Sequence, residues 1–153
     1  MRGVAILGAA AMLAGGALPW LDLGLGVEMQ PFDALQRAWA DYGIEMPREM
    51  AVLAASFVLA ALALLLALIG SPHRGVTFFA GALPWGYLGW QVWRAEDRVG
   101  EFGLSLADFR GGLGQAWSAL QQMAMPGLYL YWLGAAAVVV AGIIGFGWGG
   151  RRA

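Results

Sequence analysis

Residues 50–70 read MAVLAASFVLAALALLLALIG, an uninterrupted apolar run with no charged side chain and a single hydroxyl, Ser56. A helix needs roughly 20 apolar residues to cross the hydrocarbon core of a bilayer, and this run has that length with no polar face to offer water. Similar runs occupy 4–21 and 127–148. A fourth, at 76–93, is broken by Pro84 and crowded with aromatic residues. It still reads as a span, because proline is tolerated in a membrane helix whose neighbours satisfy the freed carbonyl.

Composition points the same way. The chain is 60% hydrophobic and 12% charged, against about 25% charged in ordinary soluble domains. The expected fold is an all-α integral membrane protein with four transmembrane helices. There is no Cys, which excludes disulfides and thiolate metal sites. All cations are Arg, a bias that a GC-rich genome explains as well as any function does.

An internal repeat organises the spans. Gly-Ala-Leu-Pro-Trp occurs at 16–20 and again at 81–85. Leu35-Gln36-Arg37-Ala38-Trp39 follows the first copy, with Met46-Pro47 after it; Leu113-Gly114-Gln115-Ala116-Trp117 follows the second, with Met125-Pro126 after it. Each Met-Pro leads into an apolar run. The order predicts a tandem duplication of a helix–amphipathic segment–helix unit. The first unit is 1–70 (span 4–21, external segment 22–49, span 50–70). The second is 71–153 (span 76–93, external segment 94–126, span 127–148). Units with an even number of crossings have the same orientation, which makes this a parallel repeat about an axis along the membrane normal. The Pro-Trp copies lie 65 residues apart and the Ala-Trp copies 78, so the second unit carries extra residues, placed at 91–102. Arg2, an apolar stretch and Ala14-Gly15-Gly16-Ala17 also have the outline of a secretory signal. The duplication argues instead for a retained helix.

All ten acids fall in 21–49 or 94–126, and four crossings put those segments on one side. The other side carries Arg2, His73, Arg74, Arg151 and Arg152, dense in short flanks. By the positive-inside rule the termini are cytoplasmic and the acidic segments external, in a bacterial inner membrane with the segments in the periplasm. In 32–42, Phe32, Leu35, Trp39 and Tyr42 recur at helical spacing; in the second segment Ser105 and Asp108 form a capping-box-like start to a stripe of Leu113, Ala116, Trp117, Leu120 and Met123. Each predicts an amphipathic helix at the membrane surface, apolar face down. Trp39, Asp33, Asp41 and Trp117 are the candidate external docking residues, and the net charge of −4 over 21–49 (six acids, two Arg) suits a basic partner surface.

The spans themselves hold no Asp, Glu, Lys, Arg or His; apart from aromatic residues their polar side chains are Ser56, Thr77 and, near an end, Gln91. That argues against pumps, coupled transporters and proton channels. One His and no Cys cannot make a common zinc site, and His73 sits in the turn Ser71-Pro72-His73-Arg74. No nucleophile–base pair, phosphate loop or basic nucleic-acid patch is present, so no enzyme, cofactor or nucleic-acid partner is expected. What the spans do carry is small residues at four-residue spacing: Ala137, Ala141, Gly145 and Gly149 in the last, Ala11 and Gly15 in the first. Such faces let helices approach closely in lipid. The third span gathers Phe78, Phe79, Trp85 and Trp90, candidate contacts for an apolar ligand or partner. Two functions are expected to compete. One is a non-catalytic accessory, assembly or scaffold subunit of a larger membrane complex, with other integral membrane proteins and lipids as partners. The other is a membrane module that binds or passes a lipid, quinone or similar apolar molecule.

Overall fold

The computed structural model describes residues 2–22, 28–101 and 106–147. The described chain is helical almost throughout: α1 (Arg2–Ala17), α2 (Pro31–Tyr42), α3 (Arg48–Ile69), α4 (Arg74–Glu101), α5 (Leu106–Met123) and α6 (Pro126–Gly147), with a 3-10 turn at Gly43–Glu45. Two two-residue strands, β1 (Leu21–Asp22) and β2 (Glu28–Met29), pair antiparallel.

Helices α1, α3, α4 and α6 form a four-membered ring in which α1 packs on α3 and α6, and α4 packs on the same two. Contacts along the seams set the directions. Arg2, at the start of α1, bonds carbonyls at the end of α3. Gly8 and Gly15 meet Gly134 and Gly127, so α1 runs antiparallel to α6. Phe78 meets Gly142, and Trp85 lies edge-on to Trp132, so α4 is antiparallel to α6 as well.

Local chemistry explains the element ends. Proline lacks an N–H and pushes the residue before it out of the helical region, so Pro19 ends α1 at Ala17. This corrects the expected boundary: the helix stops four residues short of 21, and the chain at 19–22 is extended. At 16 residues, α1 is about 24 Å long. Helix α2 opens with Pro31 at a position where a missing N–H costs nothing, and ends at Gly43 with φ 55°. Helix α3 ends in a Schellman motif: Gly70, at φ 92°, donates to Ala67 O and Ser71 N–H donates to Leu66 O. Arg2 adds to that cap, with Nε on Ala67 O at 2.7 Å and Nη2 on Leu68 O at 2.8 Å. A cation there satisfies end carbonyls and opposes the negative end of the helix dipole. His73 precedes α4, and its Nδ1 accepts the Val76 N–H at 3.4 Å.

Helix α4 continues through Pro84 to Glu101, eight residues beyond the expected end at 93, so the extra residues of the second unit begin as helix. Helices α3 and α6 begin and end within two residues of their expected bounds. Both are long and apolar enough to cross a membrane by length and composition. Only 28% of the α3 window and 39% of the α6 window is buried, whereas the core helix of a water-soluble protein is mostly buried.

The core is built from small residues and a few large ones. Ala9, Ala60, Ala80, Ala135 and Val138 are fully buried along with Met12 and Tyr131. A β-carbon on Gly15 would stand 2.7 Å from the Tyr131 backbone nitrogen, and one on Gly134 would stand 2.6 Å from the Gly8 carbonyl oxygen. Backbones this close allow dispersion contacts that larger side chains would prevent.

The strands at the acidic end were not anticipated. Trp20 N–H donates to Met29 O at 2.8 Å, Met125 N–H donates to Trp20 O at 2.8 Å, and Leu21 bridges to Ala124. The segment after α1 thus joins the residues before α2 to the residues before α6.

Candidate functional site

The strand junction places Trp20 at the mouth of the bundle, where it begins a chain of aromatic contacts. Its ring lies 4.8 Å from Tyr131; Tyr131 is 5.3 Å from Phe57, and Phe57 is 4.8 Å from Phe32 of α2. Offset and edge-on arrangements of this kind suit the quadrupole of each ring. The polar atoms among them are paired. Trp20 Nε1 donates to Gly15 O at 2.8 Å, Ser56 Oγ donates to Leu53 O at 2.7 Å, and Ser56 Oγ lies 2.7 Å from Tyr131 Oη. Ser56 has one hydroxyl proton, so with that proton on Leu53 the phenol of Tyr131 is the donor to Ser56. Among the described residues every buried side-chain nitrogen and oxygen has a partner.

Beside this core a cleft of about 200 Å³ opens between α3 and α4. Trp20, Tyr131 and Trp132 floor it, Val52, Leu53, Pro84 and Leu88 line its walls, and Glu49, Tyr87 and Gln91 stand at its polar edge. Tyr87 Oη donates to Glu49 Oε1 at 3.3 Å and accepts from Gln91 Nε2 at 2.7 Å. Glu49 is exposed and belongs to the first turn of α3, next to Arg48. A second, shallower groove of about 380 Å³ lies between α4 and α6, walled by Phe78, Ala82, Trp85, Ala136, Val139 and Val140.

The aromatic residues expected to share one ligand surface divide. Phe78 and Trp85 line the α4–α6 groove. Phe79 points outward, edge-on to Phe78 at 5.5 Å, and Trp90 is exposed with the Arg94 guanidinium 5.0 Å over its ring. The α3–α4 cleft uses other residues of the same helix: Pro84, Tyr87, Leu88 and Gln91. Trp20, Glu49, Tyr87 and Tyr131 were not singled out as site residues from sequence. Ser56 and Gln91 stood out there as two of the three non-aromatic polar side chains of the spans, which was the available signal.

The small-residue positions fall on internal seams. Gly15 meets Gly127 and Tyr131, Ala137 lies near Gly8, Ala141 is buried, Gly145 gives room to the Arg74 side chain, and Ala11 is half-buried. Gly149 lies outside the described residues. Helix α2 turns Pro31 and Ala38 inward and packs Leu35 on the core. Trp39 is 61% exposed, Tyr42 is exposed with it, and Ile44 beyond them is 95% exposed. Leu35 thus faces the bundle, while Trp39 and Tyr42 stay exposed. Asp33 and Asp41 are exposed. In α5, Trp117 and Met123 are exposed; the side chains of Leu113, Ala116 and Leu120 lie outside the described ones, as does Ser105.

Among the described residues no group of three or more His, Asp or Glu is placed to hold a metal ion. Comparison of the chain with protein-family models, with curated proteins and with solved structures finds no match.

Proposed function

We propose that the chain is a multi-pass membrane protein whose four spans are α1, α3, α4 and α6, and that it acts as a non-catalytic accessory or assembly subunit of a larger membrane complex. The observation that carries this reading is the apolar outer surface of the bundle. Leu7, Val58, Leu65, Ile69, Phe79, Leu133 and Ile143 all point away from the core. Contiguous exposed apolar surface on this scale marks membrane or protein contact. The ring order supports a duplication, because a two-fold rotation that exchanges α1 with α4 also exchanges α3 with α6. The pentapeptides support it too: Gly16 faces Phe57 of α3, and Gly81 faces the Ala135 carbonyl of α6, so each meets the second helix of its own unit.

The small-residue seams serve the bundle itself, which leaves the acidic end as the docking surface for a partner. Trp39, Tyr42 and Ile44 stand exposed there beside Asp33 and Asp41. An apolar centre with an acidic rim suits a partner with a basic border. The test is mild detergent extraction at native expression followed by native gel electrophoresis. The chain is expected to migrate in a larger complex, and Trp39→Ser with Ile44→Ser is expected to release it as a folded monomer. Migration of the unaltered chain alone at its own mass would defeat the subunit reading.

A further inference from the structure

We propose that the cleft between α3 and α4 is a phospholipid site, selective for a zwitterionic lipid whose headgroup ends in a primary ammonium. The inference rests on membrane embedding and is independent of the subunit role.

Size comes first. Ligand pockets that engulf a whole drug-sized molecule run from about 300 to 1,000 Å³, and an apolar cavity of about 150 Å³ holds a molecule the size of benzene. At about 200 Å³ the cleft takes the upper segment of one acyl chain and no complete quinone or sterol. The opening between two helices with apolar outer faces leaves the rest of the chain against the protein surface, beyond the exposed side chain of Leu88.

The edge of the cleft decides the headgroup. Tyr87 commits its one hydroxyl proton to Glu49 and accepts from Gln91. Glu49 takes that one bond, and a carboxylate has about four acceptor positions. It therefore offers a charged acceptor to an ammonium N–H at the polar end of an apolar slot. Glu49 also belongs to the segment whose six acids and two Arg give a net charge of −4, which disfavours an anionic lipid. The adjacent Arg48, at the start of the same helix, supplies the opposite charge for the phosphate of a zwitterion.

The experiment is native mass spectrometry of the full chain released from micelles doped with dioleoyl phosphatidylethanolamine or dioleoyl phosphatidylglycerol. The unaltered protein is expected to retain the ethanolamine lipid about ten-fold more, the effect of one charge-assisted hydrogen bond. Glu49→Gln is expected to abolish the preference. Leu53→Trp, which fills the slot, is expected to remove retention of either lipid. Equal retention of the two lipids by the unaltered chain overturns the proposal, and so does a preference that survives Glu49→Gln. Retention unchanged in Leu53→Trp assigns the lipid to the outer surface and overturns it as well. If Leu53→Trp fails to fold, the exposed substitution Glu49→Gln alone decides. None of these outcomes depends on a protein partner.

Discussion

Gly134 and Gly86 show what position does to a glycine in this bundle. A β-carbon on Gly134 would meet the Gly8 carbonyl oxygen at 2.6 Å and Met12 N at 2.8 Å, whereas one on Gly86 meets nothing within 4 Å. Backbone atoms cannot rotate away as a side chain can, so Gly134→Ala must push α1 and α6 apart. The expected cost is about 1–3 kcal/mol, typical of overpacking. Gly86→Ala adds a methyl in open space and removes glycine's helix penalty, so it is expected to be neutral or stabilising by up to about 1 kcal/mol. Thermal unfolding of both variants in detergent checks the pair, and equal effects would contradict the seam. The sequence could not select this seam. Helix α6 carries Gly127 and Gly134 toward α1 and the residues after it, Gly145 toward the Arg74 side chain, and Gly142 toward Phe78 of α4. With small residues on several faces, four-residue spacing names a stripe without saying which neighbour it meets.

At the scale of elements, helices announce themselves and their joints do not. Runs of apolar residues long enough to fill a helix located α3 and α6 within two residues, and the helical spacing of Phe32, Leu35, Trp39 and Tyr42 located α2. The end of α1 was legible in Pro19, but the length of the apolar run hid it. The pairing of 20–22 with 28–29 and 124–125 left no sequence trace, because two-residue strands have no period to detect. The α3–α4 cleft was illegible for a similar reason: Trp20, Glu49, Tyr87 and Tyr131 come from four separate stretches and only the fold joins them. The joint between α1 and α3 is testable. Arg2→Ala leaves the Ala67 and Leu68 carbonyls without the guanidinium and is expected to cost about 1–2 kcal/mol. Thermal unfolding in detergent at low salt measures it; a loss below about 0.3 kcal/mol would assign Arg2 no part in capping α3.

For the whole molecule, the charge pattern and the helix ring make one claim together. With α1, α3, α4 and α6 alternating in direction, α2 and α5 fall at one end, while Arg2 and the 71–73 turn fall at the other. If the four helices span a bilayer, those ends face different compartments. The chain has no Cys, so single cysteines can be introduced without background. The most direct measurement is labelling of Asp33→Cys, Gln115→Cys and His73→Cys in intact cells with a membrane-impermeant maleimide, before and after permeabilisation. All three residues are exposed. The account predicts that positions 33 and 115 label in intact cells and that position 73 labels only after permeabilisation. Labelling of position 73 together with 33, or of 33 without 115, would contradict a four-span bundle with its acidic end outside.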